Sequence, residues 1–156
     1  MNKKLLALTC AAAATITLSA NAGGHNLVVA DVNDPVSLRI NVMQNVGAAA
    51  AVSGGMLKGE IPFDPVVAKG ALAVLNTAAL GMQGLFPAGS DSNPRSSAAP
   101  NVWTDTAGFN AAIAKFIADS GAANKSASAD LAAFGAAFGS VAANCKSCHQ
   151  AYRVKN

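Results

Sequence analysis

From Leu131 to Tyr152 the residues Leu131, Phe134, Phe138, Val141, Cys145, Cys148 and Tyr152 recur at alternating steps of three and four. A strand cannot use that spacing, because its side chains change face every second residue; a helix lines them all up on one strip. Such a strip is the seam of a helical bundle and requires partner helices. The composition agrees. With 52% hydrophobic and 12% charged residues the chain collapses rather than remaining disordered. Only 5% of residues are aromatic, and alanine and glycine dominate, which suits closely packed helices better than a sheet sandwich. At 156 residues one folded domain is expected, and a net charge of +3 is too mild for a nucleic-acid binder.

The N-terminal segment reads as a cleaved export signal over 1–22. Lys3 and Lys4 precede an apolar stretch from Leu5 to Leu18, and Ala20-Asn21-Ala22 is a small-x-small cleavage site. The stretch is too short, and too interrupted by Thr and Ser, for a stable membrane anchor. Its removal takes away two lysines and Cys10, leaving a nearly neutral domain over 23–156 that is expected in the periplasm.

Partner helices are visible upstream. Asp34-Pro35 and Asp64-Pro65 each offer an N-cap acceptor followed by proline at the first helical position, where its missing N–H costs nothing. The first helix is predicted from Pro35 to the middle fifties, ending near Gly54-Gly55, and the second from Pro65 to Leu85. Pro87 to Pro100 reads as a long irregular connection whose tip, Ser90 to Ala99, is expected to be mobile and exposed. Thr104 is expected to cap a third helix carrying Phe109, Ile113 and Phe116 on one face, with Gly121 stopping it. The last helix is expected to open near Ser128. The fold class predicted is all-α, an antiparallel four-helix bundle.

The seam carries Cys145-Lys146-Ser147-Cys148-His149, the C-x-x-C-H sequence by which a c-type haem is attached. The helix sets both sulfurs on one side, one turn apart, with an imidazole following to reach the iron. A disulfide is the common alternative for two exported cysteines, but it does not account for His149. A thioredoxin-like pair belongs with a strand that this sequence lacks, and zinc needs more ligands than these.

With this motif at the end of a four-helix pattern, the chain resembles the class II cytochromes c, the cytochrome c-prime family. The resemblance also runs through Arg39, the turn Lys58-Gly59-Glu60-Ile61-Pro62-Phe63-Asp64, Leu85-Phe86-Pro87, Val102-Trp103 and Tyr152-Arg153. It implies one covalent haem c, with Cys145 and Cys148 as thioether attachment points and His149 as proximal iron ligand. It implies Arg153 near the haem, on the helical face of His149, and Arg39 near the propionates. For either arginine the plain alternative is a solvated surface charge.

The resemblance also puts Met43 at the distal haem position. High-spin members have an apolar, non-ligating side chain there and leave the iron open to small gases. In low-spin members a methionine ligates the iron, which suits electron transfer. Met43 therefore makes a single-electron carrier with iron held by His149 and Met43 the leading expectation, served by redox partner proteins. The alternative is a five-coordinate protein binding nitric oxide or carbon monoxide, with Met43 a soft packing residue. Met56, Met82 and His25 are weaker ligand candidates. Phe63 and Trp103 are expected to pack around helix ends, and Tyr152 to close one haem edge. No triad, paired carboxylates or phosphate loop is present, so an enzyme is not expected. A homodimer through the first two helices is common in the family and compatible with the Ala/Gly surface.

Overall fold

The computed structural model describes residue 31 and residues 33–126 and 129–154. The export signal, His25 and Ser128 lie outside them. The described chain is all-helical: α1 Pro35–Lys58, α2 Pro65–Met82, α3 Asn101–Thr104, α4 Thr106–Lys125 and α5 Leu131–Tyr152, with a 3-10 turn at Gln83–Leu85 extending α2.

The Asp-Pro pairs start α1 and α2. The Asp34 carboxylate accepts from the backbone N–H of Val36, and that of Asp64 from Val66 and Val67. α1 runs through Gly54-Gly55, which the sequence reading had placed at its end, and stops at Gly59. Gly59 adopts the left-handed conformation (φ 74°) and donates to the carbonyls of Gly55 and Met56.

Three further boundaries differ from the sequence reading. Thr104 ends the short α3, and Asp105 caps α4 instead, its carboxylate accepting from Gly108 N at 3.1 Å. Gly121 does not stop α4, which continues to Lys125. A single glycine costs a helix only about 1 kcal/mol against alanine, which packing overrides. α5 opens at Leu131, capped by Asp130, whose carboxylate accepts from Ala133 N at 2.8 Å.

The cross-connections fix the direction of each helix. Arg39 near the start of α1 bonds the carbonyl of Leu85 just beyond α2, so those ends coincide. Ala99 N donates to Tyr152 O, and the Tyr152 hydroxyl donates to Asp105, which brings the end of α5 and the start of α4 to the same end. The result is an up-down-up-down bundle in which α1 and α5 are antiparallel.

The core has two parts. One holds Met56, Leu72, Leu75, Phe134 and Val141; the other, at the 87–105 end, holds Met82, Val102, Phe109 and Ile113. Val42 and Met43 pack against both. Pro65–Leu85 is long and apolar enough by length and composition to cross a membrane, but Ala68, Leu72, Leu75 and Ala79 bury one side of it in this core.

The 87–100 connection is not the free loop expected from its composition. Arg39 donates from Nη1 to the Ser90 hydroxyl and from Nη2 to the Ser90 carbonyl, both at 3.0 Å, and to Ser96 Oγ at 3.3 Å. Ser90 is buried as a result. Arg95 closes the same loop onto the start of α1 through an ion pair with Asp34 and a hydrogen bond to Ser37 Oγ at 3.0 Å.

Candidate haem site

Between the two parts of the core lies a cavity of about 540 Å³, a size typical of cofactor pockets. α1 supplies one wall with Arg39, Ile40, Met43, Gln44 and Gly47. α5 faces it with Asn144, Cys145, Cys148 and His149, and Met82, Phe109 and Phe116 close the remainder.

Cys145, Cys148 and His149 share one strip of α5 because they stand three and four residues apart. Both cysteines are half-buried and form no disulfide with each other, and Cys145 Sγ lies 3.8 Å from the carbonyl of Val141. Burial pushes both thiol pKa values up, and at Cys148 the neighbouring Cys145 adds to the effect. Before haem attachment the thiols therefore stay protonated at neutral pH. His149 opens toward solvent at the cavity edge. Partial burial of its ring, and secondly the Arg153 charge, pull its pKa below the ordinary histidine value. That favours the neutral imidazole that iron ligation needs.

One end of this cavity is polar. Arg39, Ser96, Ser97 and Arg153 meet there, where Ala98 forms an antiparallel bridge with Arg153 and Val154 N donates to Ser97 O at 2.9 Å. From that end the antiparallel helices α1 and α5 each climb about 6 Å per four residues. Met43 and Gly47 on α1, and Cys145 and His149 on α5, all line the cavity.

Arg39 is no solvated charge: it is 6% exposed, and its guanidinium lies 4.7 Å from the Phe86 ring centroid. Burial pulls its pKa below the ordinary guanidinium value, opposed by Asp34. Arg153 is exposed at the cavity edge, but α5 ends before it. Its backbone is extended and pairs with Ala98, so it does not share the helical face of His149.

Met56 is 1% exposed in the core and lines no part of the cavity, whereas Met82 packs in the core and also forms cavity wall. Phe63 packs against Phe134 at 6.0 Å, and Trp103 against Phe86 at 6.4 Å; neither lines the cavity. Tyr152 does line it, with its hydroxyl donating to Asp105 Oδ2 at 2.9 Å.

Two wall residues escaped sequence reasoning. Asn144 is buried and donates to Asp119 Oδ2 at 2.7 Å and Ser140 O at 3.0 Å, which ties α4 to α5 beside Cys145. Gln44 has its Oε1 buried without a hydrogen-bond partner among the described residues. Its only sequence signal was a polar residue next to Met43. The two cysteines, the imidazole beside them and the mainly apolar walls fit a haem held from α5.

Residues 34–153 match the family described as Cytochrome C′. The chain belongs to the cytochrome c′ family. The cytochrome c′ of Rhodopseudomonas palustris is 35% identical over 132 residues, 85% of this chain and 89% of that protein. Its solved structure aligns with a TM-score of 0.74, covering 79% of this chain and 98% of that one. A cytochrome c-556 of Agrobacterium fabrum is 33% identical over 120 residues, 77% of this chain and 81% of that protein. A solved nitric oxide complex of a mutant cytochrome c′ from Alcaligenes xylosoxidans is 31% identical. It aligns with a TM-score of 0.70 over 79% of this chain and 95% of that one. Like other cytochromes c′, this protein is a monohaem c-type cytochrome with haem c covalently attached.

Proposed function

We propose that this cytochrome c′ is exported to the periplasm and takes a small gas, nitric oxide or carbon monoxide, at its haem on the side facing Met43. The haem supplies an iron that exchanges single electrons and binds diatomic gases. Cys145 and Cys148 would hold it by thioether bonds, each S–H adding across a vinyl C=C with no oxidant consumed. His149 would hold the iron from α5 through its neutral ring nitrogen. Met43 lines the α1 wall of the cavity, where a flexible thioether can move aside for a small ligand. The observation that carries this reading is the match to cytochromes c′ over residues 34–153, a relative among them solved as its nitric oxide complex.

The sequence alone favoured one-electron carriage with Met43 on the iron. That remains the second reading, supported by Met43 on α1 and His149 on α5 both lining the cavity. Titrating the reduced holo-protein with carbon monoxide separates the two. A saturable optical change supports gas binding, with Met43→Ala binding at least about tenfold more tightly. A reduced spectrum that ignores carbon monoxide, and responds only in Met43→Ala, overturns gas binding in favour of the carrier.

A further inference from the structure

Gly47 lies in the interior of α1, where glycine is among the poorest helix formers. Its backbone is ordinary helix, so no left-handed conformation calls for a glycine there. Crowding does not call for one either, since a Cβ at position 47 would meet nothing within 4 Å. What sets the position apart is where it faces. Ile40, Met43, Gly47 and Ala50 follow one another at steps of three, four and three, and all four line the cavity. The open space beside Gly47 is therefore cavity space, on the wall that faces Cys145, Cys148 and His149. Side chains on a helix lean back toward its N-terminus and cover the preceding turn. A side chain at 47 would thus lie over the turn that carries Met43. With glycine there, the flexible Met43 thioether has free volume next to it.

We infer that Gly47 sets the room available to a small ligand on the α1 side of the haem, by leaving Met43 space into which to move. This rests on the haem reading above, but not on whether Met43 itself binds the iron.

Carbon monoxide titration of the reduced holo-protein compares Gly47→Leu with Gly54→Leu. Gly54 is a second α1 glycine whose Cβ would meet nothing within 4 Å, but it lines no part of the cavity. Gly47→Leu should bind at least about tenfold more weakly than wild type, because the filled space must be cleared for the ligand. Its C–O stretching band should shift as well, while Gly54→Leu matches wild type in both readings. Gly47→Ala, a better helix former, should fall between the two without losing thermal stability. Unchanged affinity and C–O band in Gly47→Leu overturn the inference, and so does an equal loss in Gly54→Leu. A role in folding alone would lower the thermal midpoint and leave both readings where they were. Wild-type protein that ignores carbon monoxide refutes the gas-binding function, and the same substitutions are then compared in Met43→Ala, where the ligand has access. There a tenfold loss in Met43→Ala/Gly47→Leu upholds the role of Gly47, and unchanged affinity overturns it. A chain without attached haem overturns the haem reading and this inference together, whereas attached haem with unchanged affinity overturns this inference alone.

Discussion

The Arg39 guanidinium grips Ser90 twice, Nη1 on its hydroxyl and Nη2 on its carbonyl, each at 3.0 Å and across 51 residues of sequence. With the Leu85 carbonyl and Ser96 hydroxyl also bonded, one buried cation organises the loop that closes the polar end of the candidate haem cavity.

Arg39→Ala should therefore destabilise the holo-protein by about 2–3 kcal/mol, since hydrogen bonds to a buried charge are lost and their acceptors are left without a donor. Arg39→Lys should not restore the loss, because an ammonium cannot reproduce the planar fork. Thermal denaturation followed by circular dichroism measures both. A midpoint unchanged in Arg39→Ala would show that the loop holds without this grip.

Asp34 gives an acid-sensitive lock at the same end. Its carboxylate accepts from the Ser37 hydroxyl, from backbone N–H groups and from Arg95, and these hold its pKa below the ordinary 3.8 against a smaller opposing effect of burial. The unfolded chain binds the proton more readily, so this stabilisation is complete above the ordinary carboxylate value and fades as pH falls through the lower folded one. Asp34→Asn keeps an N-cap acceptor but not the charge. Thermal midpoints from pH 6 to pH 3 should fall less steeply in Asp34→Asn than in wild type, and parallel curves would contradict this.

Two glycines of α4 should respond in opposite ways to alanine. A Cβ on Gly108 would strike Asp105 Oδ2 and stand 2.6 Å from the Tyr152 hydroxyl, forcing apart the bond that joins α4 to the end of α5. One on Gly121 would meet only Asn76 Nδ2 at 3.6 Å, an ordinary contact. Gly108→Ala should cost about 1–3 kcal/mol despite its better helix propensity. Gly121→Ala should be neutral or gain up to about 1 kcal/mol. Denaturant titration of both decides, and equal effects would contradict the packing described.

Haem removal should be severe. The cavity walls are mainly apolar, and without the haem they face water. The Cys145→Ser/Cys148→Ser chain without haem should thus keep far-ultraviolet helical signal but lose near-ultraviolet signal from fixed aromatic packing. A cooperative, native-like apo-protein would contradict it.

Features governed by local chemistry were legible in the sequence. The Asp34-Pro35 and Asp64-Pro65 starts, the α5 seam and the C-x-x-C-H strip follow from rules spanning a few residues, and the structure places them as read. Gly121 misled because a glycine is only a weak helix stop once packing holds both sides. Arg39 lines the cavity, but its acceptors lie 46, 51 and 57 residues away and leave no local mark. Arg153 left the helix because its backbone pairs with Ala98, a partner no helical periodicity announces. Gln44 and Asn144 acquire meaning only once two helices face each other across a cavity.

Mass spectrometry of the protein produced with c-type haem attachment tests the central claim most directly. The account predicts one haem per chain, carried on the peptide containing Cys145 to His149, with both thiols consumed. A peptide of unmodified mass, its thiols free or joined in a disulfide, would contradict it.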